Sequence, residues 1–219
     1  MKHITCRTYN SFNVGSTLSL TAKQYEKLIK NFTCSKINVD SGLEGRASVT
    51  RIQLDGIGPV VIKHYMRGGL FGHFIKHFYL KLGKPRSKME YEQMERARGF
   101  GISVPEPICF AFRGIAFYSA WLVTREIENQ LSLAQLSMMD IESAMSAVKK
   151  LALQILILID NRIYHRDLHP GNVLVDKNHQ IHIIDFDKAG YFRGEKKALL
   201  KNYIKRLGRA VIKHNLPRA

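Results

Sequence analysis

Eight consecutive residues, His165-Arg166-Asp167-Leu168-His169-Pro170-Gly171-Asn172, place a carboxylate and an amide five positions apart on a loop that Pro170 and Gly171 define. Thirteen residues after Asn172, Asp185-Phe186-Asp187 brings further carboxylates to what reads as a strand end. Transfer of a phosphoryl group to a hydroxyl uses such a set. One carboxylate orients the attacking hydroxyl and accepts its proton, while an amide oxygen and a second carboxylate hold a metal ion against nucleotide phosphates. Hard oxygen ligands of this kind suit Mg²⁺. The bland alternatives are a loop-capping role for Asp167 and a turn role for Asn172, and the joint spacing argues against both. His165 and His169 stand four apart, but a Pro-Gly loop without a third ligand makes a poor metal pair; His165 reads as a structural loop residue.

These residues need a frame. Met139 to Asn161 reads as a helix, with Asp140 as a cap and an interior of Ala, Leu and Ile. Its most apolar run, Leu151 to Ile159, is nine residues and contains Gln154. A membrane-spanning helix takes about 20 residues, so this run is expected to be a buried helix. Val173–Val175, a turn at 176–180 and Ile181–Ile184 read as a hairpin leading to Asp185. From about Glu195 the chain reads as a helix with Leu200, Tyr203, Ile204, Leu207 and Val211 on one apolar face. Arg193, Lys197, Lys201, Lys205, Arg209 and Lys213 form a basic stripe beside it. Upstream, Ile37–Val39, Val49–Leu54 and Val60–Tyr65 are short and β-branched, with glycines at 42, 45, 56 and 58 between them. Ser87–Arg98 is helical and stops at Gly99 and Gly101, Pro105 and Pro107 mark a turn, and 116–127 reads as two short strands or one bent one. A strand-rich part therefore precedes a helical part, with the join at 124–129.

The chain has 219 residues, 45% of them apolar and 24% charged, which excludes a disordered or collagen-like chain. Three widely spaced cysteines, Cys6, Cys34 and Cys109, exclude a disulfide scaffold and fit a reducing, cytoplasmic compartment. The opening MKHITCRTYNSFN lacks the apolar core of a signal peptide. The formal net charge is +16, an excess that favours anionic partners. It is concentrated in two places. From Lys63 to Lys88 there are seven basic residues and no acidic one, and from Lys188 onward ten basic residues face Glu195 alone.

H-R-D-L-x-x-x-N followed by Asp-Phe resembles the catalytic-loop and metal-loop signature of the protein-kinase-like superfamily. The resemblance implies a two-lobed α+β protein-kinase-like fold, with a strand-rich N-lobe over 1–124 and a shortened helical C-lobe over 125–219. It implies ATP and Mg²⁺ as cofactors, Asp167 as catalytic base, and Asn172 and Asp185 as metal ligands. Val60-Val61-Ile62-Lys63 is similar to the strand whose lysine contacts the α- and β-phosphates. That lysine needs a glutamate from the following helix, and Glu90, Glu92 and Glu95 are candidates. Counted back from Gly101-x-x-Val104-Pro105, the resemblance favours Glu90. The stretch 41–49, with Gly42 and Gly45 but without the full G-x-G-x-x-G, is the expected phosphate-covering loop, with a plain tight turn as the alternative. Asp-Phe-Asp stands where protein kinases have Asp-Phe-Gly, and no A-P-E element follows. A protein substrate is therefore disfavoured and a small molecule or glycolipid favoured.

Within the superfamily the chain resembles the lipopolysaccharide inner-core kinases, specifically the Kdo (3-deoxy-D-manno-octulosonic acid) kinase group. The resemblance is carried by Lys63-His64-Tyr65 with Arg67-Gly68-Gly69-Leu70-Phe71-Gly72, by Gly101 to Pro107, by Leu122 to Ile127, and by Ile184-Asp185-Phe186-Asp187. It implies transfer of the ATP γ-phosphate to a hydroxyl of Kdo on a lipid A precursor, by a peripheral protein on the cytoplasmic side of the bacterial inner membrane. A Kdo-bearing glycolipid and an anionic membrane surface are the expected partners, and nucleic acid is not. The segment from Arg67 to Lys88 is a candidate membrane face, with packing of its apolar residues between the lobes as the equal alternative; the basic stripe of the final helix is a second candidate, for which plain solvation is the favoured reading. The competing readings are a RIO-like atypical protein kinase, another small-molecule phosphotransferase of the same fold, and a ligand-holding module without catalysis.

Overall fold

The structure is a computed structural model that describes residues 3–33, 47–65, 79–80, 83–115 and 117–213. The chain divides into two compact units, one of Met1–Glu92 with Glu106–Glu126, the other of Gln93–Pro105 with Ile127–Ala219. Mixed helices and antiparallel sheet make it an α+β protein of kinase-like fold class, strand-rich in the N-terminal part and helical in the C-terminal part.

The first unit is built on an antiparallel sheet. Its strands are β1 (Thr5–Tyr9), β2 (Phe12–Ser16), β3 (Ala47–Leu54), β4 (Gly58–Tyr65), β5 (Tyr79–Leu80), β6 (Pro107–Arg113) and β7 (Phe117–Arg125). Among the described residues they run in the order β1-β2-β6-β7-β4-β3, with β5 paired to β7. Strand alternation sorts β4: Val60 and Ile62 enter the core on one face, and Lys63 and Tyr65 split from them by the period of two. Helix α1 (Ala22–Thr33) covers the core face with Tyr25, Leu28, Ile29 and Phe32. There Phe32 stacks on Trp121 at 5.2 Å and Phe12 lies 5.4 Å from the same indole. Helix α1 opens with a capping box: the Gln24 backbone N–H donates to Thr21 Oγ1, and the Thr21 backbone N–H donates to Gln24 Oε1.

Helix α2 (Arg86–Gly99) continues from the first unit into the second. Ser87, Glu90, Tyr91, Met94 and Ala97 are its buried positions, spaced as one helical face. In the first unit Ser87 Oγ donates to the Ala111 carbonyl at 2.9 Å, and the Tyr91 ring meets Phe110 edge-on at 5.4 Å.

The second unit holds β8 (Leu131–Ser132), α3 (Leu133–Met139), α4 (Ile141–Asp160), β9 (Ile163–Tyr164), β10 (Val173–Val175), β11 (Ile181–Ile183), β12 (Gly190–Tyr191) and α5 (Lys196–Lys213). Strands β11, β10 and β8 form one antiparallel sheet, and β12 pairs with β9. Asp140 separates α3 from α4 and caps α4 through Ser143 N, so the helix expected from Met139 begins at Ile141. Leu151, Ile155, Leu158 and Ile159 are buried as expected of that run, while Gln154 accepts a backbone hydrogen bond from Ser103 and Leu153 and Leu156 face outward.

Three expectations change: the content of 5–33, the turn at Pro107 and the inner face of the last helix. The segment 5–33, to which the sequence pattern assigns no element, holds a hairpin and a helix. Pro107 opens strand β6 where a turn is expected, while of the two readings of 116–127 the single strand is the one found, as β7. Helix α5 buries Leu199, Tyr203 and Ala210, whereas Leu200 and Ile204 point outward, so the inner face is rotated from the one the apolar spacing selects. The strand expected at Ile37–Val39 lies outside the described residues.

Candidate active site

In the first unit, Lys63 on β4 meets Glu90 on α2, Nζ lying 2.9 Å from Oε2 and 3.1 Å from Oε1. Glu90 is 2% exposed and Lys63 is 23% exposed, so the pair sits where breaking one partner is expensive. The hydroxyl of Tyr65 donates to the same Oε2. The other glutamates are engaged elsewhere: Glu92 pairs with Lys84 at 2.9 Å and Glu95 with Arg98 at 3.1 Å. The expected phosphate loop with Gly42 and Gly45, and the Arg67–Gly72 segment, lie outside the described residues.

In the second unit, the loop 165–172 is set from three sides. His165 is fully buried between β9 and the metal-loop candidate. Its Nε2 donates to the Ile184 carbonyl at 3.0 Å, and its ring meets Phe186 edge-on at 4.7 Å. Burial penalises the charged imidazole and lowers its pKa from 6.5 to about 4, so the ring is neutral with the proton on Nε2. Tyr203 on α5 contributes a hydroxyl that donates to Ile163 O at 2.8 Å and accepts from His165 N at 2.9 Å. Burial pushes that phenol's pKa up, which keeps it a donor.

The far end of the loop locks onto its centre. The Asn172 side-chain nitrogen donates to the Asp167 backbone carbonyl at 2.8 Å, which leaves the amide oxygen as the side chain's acceptor. The Ile184 N–H donates to the Asn172 carbonyl at 3.0 Å, so Asp185 follows directly on a residue bonded to Asn172. Asp185 adopts a left-handed conformation, with φ at 64°, between β11 and the 3-10 turn Phe186–Lys188. That reversal ends the strand at the carboxylate, and the next residue, Phe186, is fully buried. Asp167, Asn172 and Asp185 are thus tied into one backbone network. Oxygen donors of amide and carboxylate type fit a hard divalent cation such as Mg²⁺, which keeps most of its remaining shell for water and phosphate.

Two residues that sequence spacing did not single out reach Asp167. Arg206 Nη2 on α5 donates to Oδ1 at 2.7 Å, and Lys188 Nζ donates to Oδ2 at 3.1 Å. Partial burial raises the Asp167 pKa, but the two cations outweigh it and hold the carboxyl below the ordinary aspartate range. Arg206 lies 39 positions away and its contact is set by α5 packing. Lys188 directly follows the Asp-Phe-Asp motif, the one signal that could have drawn attention to it.

Among the described residues no helix is long and apolar enough to cross a membrane. The model of the lipopolysaccharide kinase (Kdo/WaaP) family matches residues 38–219. A 3-deoxy-D-manno-octulosonic acid kinase of Vibrio vulnificus is 33% identical over 148 residues, 66% of this chain and 62% of that protein. Enzymes of the same name from Photobacterium profundum and Stenotrophomonas maltophilia are 30% and 31% identical, covering 78% of this chain and 72% and 69% of their own lengths. The chain therefore spans less than two thirds of the Vibrio relative and somewhat more of the other two. With every site residue from Lys63 to Arg206 inside the matched region, the chain belongs to the lipopolysaccharide kinase (Kdo/WaaP) family.

Proposed function

We propose that this protein is an ATP-dependent phosphotransferase that moves the γ-phosphoryl group to a hydroxyl of Kdo in a lipopolysaccharide inner-core precursor. The observation that carries the reaction class is the loop 165–172, where Asp167 is aimed by Arg206 and Lys188 while Asn172 and Asp185 are bonded into the same network. The acceptor is read from the names of the relatives. Lys63, held by Glu90 and Tyr65, binds nucleotide phosphates in this reading. Asn172 and Asp185 would hold Mg²⁺, which when bound supplies positive charge to the phosphates. Asp167 receives the acceptor hydroxyl and takes its proton as the oxygen–phosphorus bond forms. His165, Tyr203 and Phe186 keep the loop in register without touching substrate.

An anionic membrane surface on the cytoplasmic side of the inner membrane is the second partner in this reading. Helix α5 supports it: Lys197, Lys201, Lys205 and Arg209 are exposed beside the outward-facing Leu200 and Ile204, and the helix contains no acidic residue.

The test is transfer of labelled γ-phosphate from Mg-ATP to a Kdo-bearing lipid A precursor, with Asp167→Ala alongside. Transfer by the wild type, with turnover abolished and ATP affinity retained in the variant, is the expected outcome. ATP affinity that falls together with turnover counts against Asp167 as the base. A wild type that binds Mg-ATP but phosphorylates only heptosylated cores moves the acceptor to heptose.

A further inference from the structure

Two cations on one carboxylate are more than its orientation requires. A base also loses proton affinity with each cation that binds it, so the second must serve something else. The two differ in their surroundings. Arg206 is 26% exposed and projects from α5 between Tyr203 and Ala210, which are both buried. Lys188 is 63% exposed at the end of a short 3-10 turn. Arg206 is fixed, whereas Lys188 carries its charge on a four-carbon stem with three rotatable donors.

The reaction itself brings negative charge to this place. The acceptor oxygen must come within about 3 Å of the Asp167 carboxylate, and the phosphorus within about 3–3.5 Å of that oxygen. An ammonium 3.1 Å from Asp167 Oδ2 is then within reach of the transferring group, whose charge spreads over its equatorial oxygens. Two basic side chains of the loop have contacts of their own. The Arg166 guanidinium lies 5.9 Å from the centre of the Tyr164 ring, and His169 Nδ1 accepts from Gly171 N.

We propose that Lys188 is a catalytic residue that passes from Asp167 Oδ2 to the transferring phosphoryl group when the acceptor binds, while Arg206 remains on Oδ1 as a positioning residue. This rests on the phosphotransferase reading above. In the step, the acceptor oxygen forms a bond to the γ-phosphorus as the bond from that phosphorus to the β–γ bridging oxygen breaks. The bridging electron pair leaves with ADP. The acceptor's proton goes to Asp167 Oδ2, the oxygen that Lys188 has vacated. Lys188 donates to the phosphoryl oxygens and releases them with the phosphorylated product.

The experiment is steady-state kinetics of Lys188→Met, Lys188→Arg, Arg206→Met and Arg206→Lys on the Kdo-bearing acceptor, with acceptor-free ATP hydrolysis measured in parallel. Lys188→Met is expected to lower kcat by about 100-fold or more, the scale of losing one charge-stabilising donor, with both KM values within about threefold of wild type. Lys188→Arg is expected to restore part of kcat, since it keeps the charge. Arg206→Met is expected to lower kcat and raise the acceptor KM together, with partial rescue by Arg206→Lys. Lys188 is exposed, so its variants keep the fold, and a melting curve checks this. A Lys188→Met enzyme with kcat near wild type, or with its loss confined to KM, overturns the proposal. If the wild type hydrolyses ATP but does not phosphorylate the Kdo acceptor, the functional reading falls on its own. Lys188 is then judged on hydrolysis, where water replaces the acceptor: a fall in Lys188→Met sustains the role and an unchanged rate overturns it. A wild type that neither transfers nor hydrolyses overturns both.

Discussion

The hydroxyl of Tyr65 donates to Glu90 Oε2, the carboxylate oxygen that Lys63 also holds at 2.9 Å. A buried carboxylate with a neutral donor and a cation is oriented by both, and each removal has a different cost. Tyr65→Phe is expected to lower unfolding free energy by about 1–3 kcal/mol, the cost of leaving a buried polar group short of a partner. Lys63→Met removes a cation from a nearly inaccessible carboxylate, and about 3–5 kcal/mol is expected. Denaturant titration separates the two. ATP titration should show the lysine variant weakened far more than the tyrosine variant, and equal weakening would reject the phosphate-binding role of Lys63.

His165 makes stability depend on pH in a defined window. Its folded pKa, about 4, lies below its ordinary 6.5 because burial disfavours the charged ring. Between these values the unfolded chain binds the extra proton, so stability falls as pH drops from about 6.5 toward 4 and is flat above it. The full loss is about 3 kcal/mol. Asp167 and Asp176 have pKa values below the ordinary 3.8, so their contributions are lost at lower pH. Urea unfolding of wild type and His165→Asn at pH 7, 5.5 and 4.5 checks this. The variant should lose much of the slope, and a wild-type slope that persists in it would assign the dependence to other groups.

The outward face of α5 predicts vesicle binding. Wild-type protein should float with phosphatidylethanolamine–phosphatidylglycerol vesicles and not with phosphatidylcholine. Lys201→Glu combined with Lys205→Glu should weaken flotation by about tenfold or more, at roughly 1 kcal/mol per basic residue at an anionic surface. Ile204→Ser should weaken it in moderate salt, where charge is screened and the apolar contact remains. Undiminished flotation of both variants would move the membrane face away from α5.

Much of the second unit was legible because its signals are local. The hairpin β10–β11 is bounded by turn residues, Asp140 caps α4, and the loop motif is contiguous. The N-terminal hairpin was hidden by its turn. Asn10 and Ser11 both have positive φ, 46° and 65°, as a two-residue hairpin loop demands, yet serine at the second position lacks the glycine that usually announces it. Helix α1 was announced by Thr21-Ala22-Lys23-Gln24 before apolar positions 25, 28, 29 and 32, a pattern diluted by its charged outer face. The inner face of α5 was misjudged because apolar spacing ranks residues by greasiness. Arg206 and Tyr203 are drawn inward by partners 38–40 positions away, which spacing cannot see. Gly42 and Gly45 lie outside the described residues, so the phosphate loop rests on its pattern alone.

The bridge from Tyr203 to Ile163 and His165 makes the loop depend on the last helix. The loop sequence 163–172 is complete long before α5 exists on a growing chain, but its backbone is pinned by a hydroxyl 38 and 40 positions downstream. A chain halted before Lys196 therefore displays the whole catalytic motif while lacking the part that shapes it. Fragments ending there would carry the motif without the hydroxyl that bridges Ile163 and His165.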